Sequence, residues 1–147
     1  MSQKNLTYKH NFNYPVNQVY NLIEEEQLKF FQHYDSKIET FVKGIKIKKQ
    51  MLTKTAKKSV DVTMCVKDVV KNKKIEVVTI YQQGDIVTTY EFKEINDGTQ
   101  VIYFEDNHFK KGMNELNFNI MSILYRWFYK RNVKKRMQYI EMMLERN

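Results

Sequence analysis

Cysteine, proline, tryptophan and glycine are all scarce: the 147-residue chain has one Cys, one Pro, one Trp and four Gly. A lone cysteine, Cys65, excludes an internal disulfide and any cysteine-rich metal site. So little Gly and Pro argues against long linkers or disordered tracts. There is no repeat, no low-complexity stretch and no composition shift that would mark a domain boundary. The expectation is a single domain over residues 1–147. No uninterrupted apolar run approaches the roughly 20 residues that cross a bilayer. The opening MSQKNLTYKHN lacks an apolar stretch of signal-peptide length. A soluble, cytoplasmic protein is expected.

Catalytic and cofactor signatures are missing as well. Neither GxGxxG nor a P-loop is present, which removes the common glycine-loop phosphate cradles. His10, His33 and His108 show no HExxH spacing and have no cysteine partners, so no metal site and no cofactor are expected. Glu24, Glu25 and Glu26 read as a solvated run. Glu91, Glu105 and Asp106 fall on neighbouring strands without any sign of acid–base pairing.

What is abundant is aromatic side chain and positive charge. Ten Tyr and nine Phe supply a large apolar payload, and the net charge is +8. The excess is concentrated. Residues 43–58 hold seven lysines and no acid, and residues 126–136 hold six basic residues and no acid. Lys46, Lys48, Lys130, Lys134 and Lys135 therefore mark a candidate basic surface. Its partner would be an acidic protein or an anionic membrane, with nucleic acid the weakest choice. Solubility alone explains such charge equally well.

The pattern of the chain runs from strand to helix to strands to helix. Leu6, Tyr8, His10, Phe12 and Tyr14 alternate with polar residues, the period of a strand with one buried face. Pro15 opens a helix carrying Val16, Val19, Tyr20 and Ile23. The apolar spacing then fails, so residues 24–34 read as a bend and a second short helix. Strands follow over residues 44–53, 59–67, 74–82, 86–95 and 99–107. Residues 74–82 are apolar on both parities, which suits a more covered strand. A turn at Gln83-Gly84-Asp85 and a hairpin at Asn96-Asp97-Gly98 join the last strands, and short connections imply antiparallel pairing.

After Gly112 the pattern is helical to the end. Leu116, Ile120, Ile123, Leu124 and Trp127 form one stripe, whereas Val133, Met137, Ile140 and Leu144 form another, rotated by more than about 100°. Such a helix, roughly 50 Å long, outruns strands of roughly 33 Å. A kink near Asn132 would realign the stripes. Otherwise the second half packs on the N-terminal helices or a second subunit. Packing within the chain is the preferred reading.

This order resembles the START-like (SRPBCC, helix-grip) superfamily, and within it an uncharacterised bacterial family known only as a domain of unknown function. The resemblance is carried by FNYPVNQVYNLI, the Asp97-Gly98 hairpin and LYRWFYKRNVKKRMQYIE. It implies an α+β helix-grip fold: a curved antiparallel sheet of about six strands, two short N-terminal helices and a long C-terminal helix. It also implies a space between sheet and helix that holds an apolar ligand.

On that footing Tyr8, His10, Tyr90, Phe92, Tyr103, Trp127 and Arg131 are the candidate ligand-binding residues. His10 falls on the inward parity and could orient a polar group, although a core histidine satisfied by a neighbouring Tyr or Glu is the plainer reading. The tyrosines pair an apolar body with one hydroxyl, which suits either a pocket wall or a core rim. Tyr103 is the least secure, since its strand is apolar on both parities. Arg131 follows the buried stripe, where a cation would meet a carboxylate or phosphate; solvation beyond the sheet is the simpler alternative. The leading function is a non-enzymatic binding domain for a small apolar or amphipathic ligand. The alternative is an interaction module using the basic aromatic surface. An enzyme of cyclase or aromatase type comes third, because no acid–base pair can be assigned.

Overall fold

The computed structural model describes residues 6–52, 59–81, 84–109 and 132–146. In chain order the elements are β1 (Leu6–Phe12), α1 (Val16–Tyr34), β2 (Lys46–Leu52), β3 (Ser59–Val70), β4 (Lys74–Tyr81), β5 (Gly84–Ile95) and β6 (Gly98–Phe109). Residues 132–146 form a further helix, α2. The six strands make one antiparallel, curved sheet in the order β1-β6-β5-β4-β3-β2. Both helices pack their buried residues into the same core as the sheet's inner face, giving an α+β architecture.

Strand alternation places the side chains as the sequence predicts. Phe12 is buried on β1, with Tyr8 and His10 partly buried, while Thr7, Lys9 and Asn11 are exposed. On β2, Ile47 is buried between exposed Lys46 and Lys48. A register shift between Val66 and Asp68 inserts an extra residue on β3, so that Val66 and Val69 both meet the core. On β6, Val101, Tyr103, Glu105 and Asn107 all face inward and are buried. Strand register sets Tyr8, Tyr103, Tyr90 and Ile75 in one row across β1, β6, β5 and β4. Gly98 ends the tight β5–β6 turn where β1 passes closest: a Cβ added there would overlap the Phe12 carbonyl oxygen.

Two expectations are corrected. The two short N-terminal helices are one helix of 19 residues. No Pro or Gly interrupts it, and the acidic run joins it through local pairs. Tyr20 donates to Glu24 at 2.5 Å, and Lys29 lies 3.4 Å from Glu25 and 3.6 Å from Glu26. Gly84 and Asp85 already belong to β5 rather than to a turn. On β4, Ile75 and Val77 are buried while Ile80 is 48% exposed.

The second apolar stripe of the terminal segment packs within the chain. Val133, Met137, Ile140 and Leu144 of α2 all enter the core with Phe12, Phe31 and Phe92. The first stripe, Leu116 to Trp127, lies outside the described residues.

Candidate functional site

The inner face of the sheet is filled at one end and open at the other. Beside the β5–β6 turn, Phe12, Val101 and Phe92 are buried, and Tyr20 of α1 meets Phe92 edge-on at 5.1 Å. Beyond the tyrosine row the side chains become smaller and more polar. There a cavity of about 510 Å³ lies between β3–β6, Lys49 of β2, the middle of α1 and α2. Its apolar wall includes Ile23, Phe30, Met64, Val77, Ile86 and Ile140. Polar atoms come from Thr79, Thr88, Tyr90, Tyr103, Gln27 and the charged Glu26, Lys29, Lys49, Glu105 and Arg136.

The polar groups form a connected set. Arg136 Nη1 donates to the Tyr90 hydroxyl at 2.6 Å, and Gln27 Nε2 reaches the same oxygen at 3.4 Å. The Tyr103 hydroxyl donates to Glu105 Oε1. The two tyrosine rings meet edge-on at 5.0 Å, and the Arg136 guanidinium stands 6.0 Å from the Tyr103 ring centre. Burial, reinforced by the Glu105 charge beside it, pushes the Tyr103 hydroxyl well above the usual phenol range. The Tyr90 oxygen favours the charged form of Arg136 more than burial opposes it, so the guanidinium stays protonated.

Lys49 is a second inward cation. Its Nζ lies 4.6 Å from the centre of Phe30 and 5.3 Å from that of Tyr34. The aromatic faces attract the ammonium, whereas partial burial lowers its pKa.

The structure sorts the predicted residues into three groups. Tyr90 and Tyr103 line the cavity. Tyr8, His10 and Phe92 do not. Phe92 is part of the filled core, and Tyr8 packs against it. The His10 ring lies 4.5 Å from Phe12, with Nε2 3.3 Å from Glu141 Oε2. Trp127, Arg131 and Lys130 lie outside the described residues. Lys46 and Lys48 are exposed on the edge strand β2, and Lys134 and Lys135 are exposed on α2. Lysines on an edge strand also discourage pairing with another strand.

Sequence reasoning missed Lys49, Glu105 and Arg136. The parity of Ile45 and Ile47 puts Lys49 on the inner face, and the parity of Tyr103 does the same for Glu105. Arg136 sits one turn before Ile140, on the flank of the α2 stripe. Among the described residues no group of three His, Cys, Asp or Glu side chains is placed to hold a metal ion. Nor does any described helix have the length and apolarity to cross a membrane.

The model of a domain of unknown function, DUF3284, matches residues 6–126. The chain belongs to the DUF3284 family. Among curated proteins none matches this DUF3284 chain in sequence. Solved structures resemble it in shape. Ara h 8.0201 is 10% identical, with a TM-score of 0.63, and the match covers 100% of each chain. A Rhodobacter sphaeroides protein is 11% identical, with a TM-score of 0.64, over 96% of this chain and 92% of its own. A Staphylococcus aureus protein of unknown function is 10% identical, with a TM-score of 0.63, over 100% and 98%. Likenesses at this identity carry the fold alone, a helix-grip arrangement of sheet and helices.

Proposed function

We propose that this chain is a START-like binding domain that holds a small amphipathic ligand between the sheet, α1 and α2, without transforming it. The observation that carries this reading is the cavity of about 510 Å³, which lies within the roughly 300–1,000 Å³ typical of small-molecule sites. Its mostly apolar wall with polar groups gathered around Tyr90 and Tyr103 is the lining that such sites use to bury a ligand body and orient its head. The cavity also explains α1. Its middle turn buries little because it spans a space, with Glu26, Gln27 and Phe30 facing that space. A binding role without catalysis is favoured by the wiring of the polar groups. Tyr103 is tied to Glu105 and Tyr90 to Arg136, so both hydroxyls are held by side chains of the protein.

The direct test is to fill the space. N-phenylnaphthylamine, a neutral probe that brightens in apolar surroundings, should bind the unmodified chain saturably with one site. Thr88→Phe should abolish that binding without lowering the melting temperature, because the new ring enters an existing hole. A probe that binds both proteins alike would place its site elsewhere and remove the proposal.

A further inference from the structure

The cavity lining carries three cations, Lys29, Lys49 and Arg136, against two acids, Glu26 and Glu105. Glu105 accepts the Tyr103 hydroxyl. Glu26 faces Lys29 at 3.6 Å, and Lys29 also meets Glu25 at 3.4 Å. Glu105 is thus hydrogen-bonded to a neutral hydroxyl, and Lys29 is shared between two acids on its own helix. Two cations remain in the lining. Arg136 gives one N–H to Tyr90, and among the described residues no carboxylate lies within ion-pair distance of it. Lys49 is steadied by aromatic faces and likewise has no carboxylate partner among the described residues. A guanidinium carries five donors in a planar fork and no acceptor. Arg136 turns part of that fork to Tyr90 and Tyr103, and the rest, on an exposed residue at the cavity wall, is open to solvent or to a ligand.

Tyr90 points the same way. Its oxygen receives both Arg136 and Gln27, so its lone pairs are engaged by donors of the protein. Its own O–H proton finds no acceptor among the described residues. A buried hydroxyl proton needs one. The group that would complete Tyr90 and Arg136 together is one that accepts hydrogen bonds and carries negative charge, and Lys49 elsewhere in the lining adds to the positive potential.

From this we infer that the cavity selects amphiphiles with an anionic headgroup, a carboxylate above all, seated against Arg136 and Tyr90, with the apolar body along Met64, Val77 and Ile86 and Lys49 adding positive potential from the far side of the lining. The inference rests on the reading of the cavity as a ligand site and adds the chemistry of the head. A carboxylate fits the guanidinium fork in a bidentate manner, and charge-assisted bonds in a partly enclosed site are stronger than neutral ones. A neutral alcohol can accept from only one of these donors at a time. An ammonium head would meet two like charges.

The test compares decanoate with n-decanol at neutral pH, each titrated as a competitor of N-phenylnaphthylamine. The chain length is the same, so the apolar contribution cancels. The unmodified protein should bind decanoate roughly 10- to 100-fold more tightly than n-decanol. Arg136→Gln should erase about tenfold of that preference, and Lys49→Gln should erase part of the rest, with n-decanol affinity held within about threefold. Equal affinity for acid and alcohol in the unmodified protein overturns the headgroup inference while leaving the ligand site standing. So does a preference that survives in the Arg136→Gln, Lys49→Gln double variant. Failure of both compounds to displace the probe overturns the ligand site, and the inference with it. The first comparison needs no variant, so a folding defect cannot obscure it.

Discussion

Two ends of one sheet surface behave differently. Near the β5–β6 turn, Phe12, Thr99, Val101 and Phe92 are all buried on the inner face. On the same face, beyond Tyr90 and Tyr103, Thr79 of β4 and Ile86 and Thr88 of β5 are only partly buried, while Glu105 and Asn107 of β6 are buried polar groups. Alternation is unbroken between the two regions, and so is the pairing of β5 with β6. What changes is side-chain volume. Phenylalanines and a helix-borne tyrosine close the first end to native density, whereas threonines leave the second end open. The lesson is that inward parity states where a side chain points and says nothing about whether the space in front of it is filled. Stability is concentrated in the filled end, and the open end carries the polar groups that a core would ordinarily avoid.

The contrast can be pressed hardest at Phe12, which has no exposed surface and sits in the shared core. Phe12→Ala should cost about 3–5 kcal/mol of unfolding free energy in urea titrations, the range for a truncated core aromatic. Probe affinity at the open end should change little at temperatures where the variant remains folded. A loss below about 1 kcal/mol would mean that the two ends are packed alike.

A smaller effect, of opposite sign, is expected at Lys49. Burial lowers its pKa in the folded protein, so folding is opposed wherever the unfolded chain would hold that proton more firmly. This cost is fully present below the folded pKa and fades as pH rises to the ordinary lysine range. Lys49→Met should therefore raise the melting temperature slightly at neutral pH, and the gain should shrink as pH climbs towards that range. A destabilised variant at neutral pH would show that the aromatic faces of Phe30 and Tyr34 more than offset the burial. Together with the weaker decanoate binding expected on losing this cation, the variant would trade binding for stability.

Much of the frame was legible in the residues. β1 alternates without a fault, Asn96-Asp97-Gly98 makes its turn, and the α2 stripe of Val133, Met137, Ile140 and Leu144 is buried as its spacing predicts. α1 was misread at one place for a physical reason. The apolar period fails after Ile23 because the helix crosses the cavity there, and a lost period looks the same over a hole as at a bend. Glu105 was hidden by β6, where Val101 and Ile102 are apolar on opposite parities and no face can be chosen from composition. Lys49 stood in a lysine-rich run whose neighbours Lys46 and Lys48 do face solvent. His10 was placed correctly on the inward face but serves the filled end, beside Phe12 and Glu141. Distance along the strand separates it from the cavity, and parity is blind to that.

The most direct measurement is native mass spectrometry of the protein purified gently from its own host. The account predicts a population heavier than the polypeptide by one small molecule, bound one-to-one, released on denaturation and absent from Thr88→Phe prepared in the same way. A bare polypeptide mass in every preparation, unchanged after incubation with decanoate, would contradict it.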